Sequence, residues 1–109
     1  MEKRIPIAIV LNIAQVHDQT ANGAELTYTD NVSAHGACVV SSRSWKLGEL
    51  MEVTPLKEQT TLLGKVAHCE KRSDHHYGVG LVFQGGHVTW SMYRRYVGLA
   101  SVHEIMLKS

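Results

Sequence analysis

The sequence predicts a mainly β domain: a six-stranded antiparallel barrel followed by one C-terminal helix. Three observations carry this expectation. Six short segments are apolar throughout or alternate apolar with polar residues. Clusters rich in Gly, Asn, Asp, Ser or Pro separate them. Only the tail shows a helical period. Short strands at close spacing, each joined to the next by a turn, favour a barrel whose closure removes exposed strand edges. The 109 residues suit a single domain spanning 1–109, with one core.

"IPIAIVLNI" places Ile5, Ile7, Ile9, Leu11 and Ile13 on one parity, the period of a strand with one buried face. Pro6 near its start marks a strand beginning or an edge. Asn22-Gly23 is a turn signal, and "ELTYTDN" then alternates, with Leu26 and Tyr28 on one face and Thr27 and Thr29 on the other. "GACVVSS" is the third strand and "GELMEVTP", closed by Pro55, the fourth. "TTLLGKVAHCEK" is the fifth, with Gly64 as a candidate bulge, and "RSDHH" reads as a turn. In "YGVGLVF", Tyr77, Val79, Leu81 and Phe83 share one face, while Gly78 and Gly80 on the other invite a close neighbour. The expected core includes Ile7, Ile9, Leu11, Val79, Leu81 and Phe83. Trp90, Tyr93 and Val97 recur at helical spacing before Gly98, a helix stop.

Composition excludes several classes of function. Hydrophobic residues make up 44% and charged residues 19%, as in an ordinary globular protein. A formal net charge of +1 is too balanced for strong binding of duplex nucleic acid. Single strands need a basic groove and stacking platforms, and only 6% of residues are aromatic, so neither DNA nor RNA is an expected partner. No run of 18 apolar residues predicts membrane insertion. The start superficially resembles a signal peptide but lacks a convincing cleavage site, so a cytoplasmic location is the expectation. Cys38 and Cys69 then read as buried reduced thiols, and the Asn31-Val32-Ser33 glycosylation pattern carries no meaning.

The stretch "DNVSAHGACVV" sets Asn31, Ser33 and Gly36 at spacings of two and three just before an apolar strand. Two readings fit. Asn31 and Ser33 can fold back on their own backbone in a turn, with Gly36 at positive φ. They can also form a polar cradle at a barrel mouth, where Gly36 lets the backbone approach a ligand. His68, Cys69, His75 and His76 follow no common zinc spacing, so no metal or cofactor is expected. Ser33 and His35 have no recognisable acid partner or oxyanion loop, so no enzyme is expected. Arg43 and Lys46 read as an exposed loop, and Arg94 and Arg95 as solvated helix cations.

"NVSAHG" fits the D/N-x-S-x-x-G signature of PilZ domains, and the order of strands around it resembles that family over essentially the whole chain. "RIPIAIVLNI" is similar to the family's first strand, and "YGVGLVF" to a late strand ending in Gly-x-x-Phe. The resemblance implies a PilZ-type barrel that receives cyclic di-GMP, with Asn31, Ser33 and Gly36 as ligand contacts. Arg4 stands at the last arginine of the family's R-x-x-x-R motif, whose first arginine would fall one residue before Met1. The resemblance thus implies either a piece trimmed from a longer protein or a divergent member. Cyclic di-GMP would order the N-terminal arm and signal to a protein partner or a fused effector domain. The alternative is a PilZ-like interaction module that binds no nucleotide.

Overall fold

A strand with one buried face repeats its side-chain direction every two residues, and this chain uses that period to build a barrel. The computed structural model describes residues 3–16, 24–58 and 60–85. It contains β1 (Val10–Gln15), β2 (Glu25–Val32), β3 (Gly36–Ser41), β4 (Leu50–Pro55), β5 (Leu62–Ser73) and β6 (His76–Phe83). The six strands close in the order β1-β2-β3-β6-β5-β4, and every neighbouring pair is antiparallel. The expected barrel is therefore present. The expected tail helix and the Asn22-Gly23 turn lie outside the described residues.

The core draws on every strand: Leu11 and Ile13, Val32, Ala37 and Val39, Met51 and Val53, Val66, and Val79, Leu81 and Phe83. Each large aliphatic side chain buried there contributes roughly 1.5–3 kcal/mol. Ile9, Leu11, Val79, Leu81 and Phe83 are buried as the sequence indicates, whereas Ile7 is half-buried and packs against the edge of the core.

The first strand begins later than its alternation predicts, at Val10 rather than Ile5. Ile5 still pairs with Val32, its N–H donating to the Val32 carbonyl at 2.8 Å and its carbonyl accepting from the Val32 N–H at 2.9 Å. Between Ile5 and Val10 the arm leaves the ladder. Pro6 has no N–H to contribute, and the Ile7 N–H donates to the Ile5 carbonyl in a tight local turn at 2.8 Å. Thr29 of β2 takes over the pairing. Its hydroxyl accepts from the Ile9 N–H at 2.9 Å and donates to the Ile7 carbonyl at 2.7 Å.

That role explains which face of β2 is inside. Thr29 is 0% and Thr27 9% exposed, while Leu26 is 63% and Tyr28 45% exposed. The buried hydroxyls are satisfied, since Thr27 donates to the Val40 carbonyl at 2.6 Å. Two further expectations are corrected. Gly64 is no bulge, because it pairs with Met51 on one side and Phe83 on the other. Its missing side chain makes room for Leu81, whose Cδ1 would lie 3.1 Å from an added Cβ. The β5 irregularities lie instead between Val66 and His68 and between Lys71 and Ser73. "RSDHH" is not all turn either, since β5 runs through Arg72 to Ser73 and β6 starts at His76.

Trp45, in the β3–β4 connection, turns inward and joins the core at the barrel end opposite the 33–36 turn. Its indole N–H donates to the Ser41 hydroxyl at 2.9 Å, and the Arg43 guanidinium covers the ring at 3.7 Å. Arg43 also pairs with Glu49 at 3.3 Å, so it serves this plug.

Candidate functional site

A β-bulge organises the outer face of the barrel. Thr29 pairs with Val39, and Asn31 pairs with Cys38, which leaves Asp30 as an extra residue in β2. Two adjacent polar side chains, Asp30 and Asn31, thereby each meet an arginine. The Asn31 side-chain carbonyl accepts from Arg4 Nη1 at 2.6 Å. The Asp30 carboxylate pairs with Arg72 Nη1. Arg4 arrives through the arm: the Ile5–Val32 pairing and the Thr29 clasp fix the backbone that carries it.

Arg72 comes from the second β5 irregularity. Its guanidinium lies over Gly78, where an added Cβ would fall 2.5 to 2.7 Å from Nη2, Cζ and Nε. Nη2 also approaches the Cys38 sulfur at 3.6 Å. Gly80 serves in the same way one step along β6, since its absent Cβ would meet His68 Cδ2 at 3.3 Å. The glycine face of β6 thus receives the close neighbours its sequence invites, and they are Arg72 and His68. The result is an open groove of about 440 Å³ whose lining includes Arg4, Asn31, Cys38, His68, Arg72 and Gly80.

The groove carries both signs of charge, since Glu70 lines it with Arg4 and Arg72, and Asp30 pairs with Arg72. The hydrogen bond from Arg72 to Asp30 raises the arginine further above its ordinary pKa, outweighing desolvation. Burial pushes the Cys38 thiol up, against the opposing pull of Arg72 and Arg4, so it is a protonated thiol rather than a nucleophile. Two guanidiniums, one amide and a glycine floor, with the Glu70 carboxylate as an acceptor, suit a ligand combining an anionic group with a flat ring that bears N–H donors.

Of the four residues singled out in the sequence, Arg4 and Asn31 line this groove, and Ser33 and Gly36 build the turn beside it. The buried Ser33 hydroxyl accepts from the Gly36 N–H at 3.2 Å, while the Ser33 N–H donates to the Gly36 carbonyl at 2.9 Å. A Cβ on Gly36 would collide with the Leu81 carbonyl, so glycine there admits β6. Arg72 was hidden from sequence reasoning by the turn assigned to "RSDHH". Gly78 and Gly80 were the available signal for it. His68 faces the groove, whereas its neighbour Cys69 packs against the core. Arg94 and Arg95 lie outside the described residues.

Known proteins share this architecture. Over 100% of this chain, the fold matches Bacillus subtilis MotI/DgrA, an inhibitor of motility, with a TM-score of 0.57 and 15% identity. The match spans 52% of that protein, so this chain is about half its length. The PilZ domain of CeSA from a cellulose-synthesizing bacterium aligns over 95% of this chain and 98% of its own, at a TM-score of 0.48 and 15% identity. Curated protein sequences give no match. The PilZ domain family model covers residues 1–97, taking in the arm with Arg4, all six strands and the Asn31–Gly36 turn, and on that match the chain belongs to the PilZ domain family.

Proposed function

We propose that this chain is a cyclic di-GMP receptor domain that relays ligand binding to a protein partner or a fused effector domain. The observation that carries the reading is the Arg4–Asn31 hydrogen bond, which joins residues of two separate family motifs at one groove. Arg4 would donate to phosphate or to the acceptor edge of guanine, and Asn31 would bond the base in place of the arginine it now holds. Ser33 and Gly36 would support the site by fixing the turn. The arm held at Thr29 is the element that binding would bias, between a looser and a docked population. The reading assigns the chain no reaction and no cofactor, and it implies a cytoplasmic protein. Among the described residues, no helix is long and apolar enough to cross a membrane.

A second reading, an interaction module that binds no nucleotide, draws on a different face. Val10 and Tyr28 are paired across β1 and β2, and both are exposed, with Leu26 beside them. Such a patch suits a protein contact.

Calorimetric titration with cyclic di-GMP separates the two readings. Measurable binding that weakens about ten- to a hundredfold in Arg4→Ala supports the receptor, because charge-assisted bonds are worth roughly 1.5–3 kcal/mol. Binding untouched by Arg4→Ala places the ligand elsewhere. No binding by the parent protein leaves the interaction module.

A further inference from the structure

We infer that Arg72 is the base-stacking platform of the groove, while Arg4 is its phosphate contact. This division of labour rests on the receptor reading above, but it is carried by the geometry of Arg72 itself. Three guanidinium atoms, Nη2, Cζ and Nε, lie within 2.5 to 2.7 Å of one point above Gly78. Near-equal distances to atoms spread across a planar group mean that the plane faces Gly78 broadside. One face of the guanidinium is therefore covered by the backbone of β6.

The edges are also engaged. Nη1 pairs with the Asp30 carboxylate, and Nη2 contacts the Cys38 sulfur at 3.6 Å. Asp30 already offsets the charge of Arg72 and occupies Nη1, one end of the fork that would clamp a phosphate. What remains is the second face. The side chain is still 40% exposed and lines the groove, which leaves its uncovered face as the surface a ring would meet. A guanidinium plane held on one face and along its edges loses little freedom when a ring settles on the other. Flat heteroaromatic bases stack on such planes, and a purine covers more of the plane than a pyrimidine does. Arg4 has no such seat. It meets the groove through one bond to Asn31, and its remaining donors suit an anion.

The test separates a plane from a charge. Cyclic di-GMP is titrated into the full chain and into Arg72→Ala, Arg72→Lys and Gly78→Ala, each checked for an unchanged circular dichroism spectrum. Arg72→Lys keeps the charge but loses the plane, and Gly78→Ala keeps the arginine but displaces it. All three are expected to weaken binding about five- to a hundredfold, and in Arg72→Lys and Gly78→Ala, which keep the charge, the salt dependence should stay nearly unchanged. Arg4→Ala, by contrast, is expected to flatten the salt dependence. Near-parental binding by Arg72→Lys alongside weak binding by Arg72→Ala would mean a point charge and overturn the inference, as would indifference to all three changes.

Guanosine monophosphate provides an independent arm. Ring-current shifts of the Gly78 and Gly80 amides, present in the parent protein and lost in Arg72→Ala, support the platform even if cyclic di-GMP fails to bind and the receptor reading falls. Absence of those shifts in a parent protein that does bind cyclic di-GMP removes the platform and leaves the receptor.

Discussion

Replacing Thr29 with valine tests the clasp that holds the arm. The side chain is fully buried, and valine copies its shape while deleting the hydroxyl. Two backbone groups then lose a partner: the Ile9 N–H, which donates to it at 2.9 Å, and the Ile7 carbonyl, which accepts from it at 2.7 Å. Ile7 is half-buried, so its carbonyl regains water. Ile9 is 6% exposed, so its N–H is left without a partner. A stranded buried donor costs about 1–3 kcal/mol. At about 4 °C per kcal/mol for a domain of this size, the melting temperature should fall by about 4–12 °C. Thr29→Ser is the control, since it keeps the hydroxyl and loses one methyl, at about 0.8 kcal/mol before any cavity cost. Thermal melts followed by circular dichroism, with hydrogen exchange at the Ile9 amide, provide the assay. If the serine variant melts below the valine variant, packing rather than hydrogen bonding holds the arm, and the reasoning is refuted.

Three other changes have defined outcomes. Gly36→Ala should lower the melting temperature, because the new Cβ collides with the Leu81 carbonyl of the neighbouring strand, and an unchanged melt would contradict the close approach. Phe83→Ala should cost about 3–5 kcal/mol in urea denaturation if the ring fills the core as its burial indicates. For Glu49, burial opposes the charge, but hydrogen bonds from Gln15, the Lys46 N–H and Arg43 outweigh it and hold the carboxyl below its usual 4.5. The unfolded chain therefore takes up that proton first. The stabilisation is complete above pH 4.5 and disappears as pH falls through the lower folded value. Glu49→Gln should accordingly show a shallower loss of melting temperature than the parent below about pH 4.5, and parallel curves would exclude this contribution.

Alternation made the barrel legible because each strand buries one face, and the period of two survives even where a strand is short. It could not say which face of β2 is inside. Leu26 and Tyr28 look like the core face, yet the threonines go inward because their hydroxyls find backbone partners in the arm and in β3. Arg4 and Asn31 were legible as motif residues, and their contact is local to two paired segments. Arg72 was not. Its place in the groove depends on an irregularity late in β5, which has no distinctive local sequence signal, and on Gly78 in the next strand, which signals a close neighbour without saying which. Trp45 was missed for a similar reason, since a tryptophan in a polar connection reads as exposed until the open barrel end is known.

The extra residue in β2 makes the carboxylate that holds Arg72 separable from its scaffold. Along the β2–β3 ladder, Thr29 opposes Val39 and Asn31 opposes Cys38, so removing Asp30 would leave those two pairings consecutive. One codon therefore carries the only carboxylate that Arg72 pairs with among the described residues, and its gain or loss does not require the ladder to be redrawn. A lineage can adjust the charge of such a recognition surface by insertion or deletion, a step that in most strands would turn every later side chain to the wrong face.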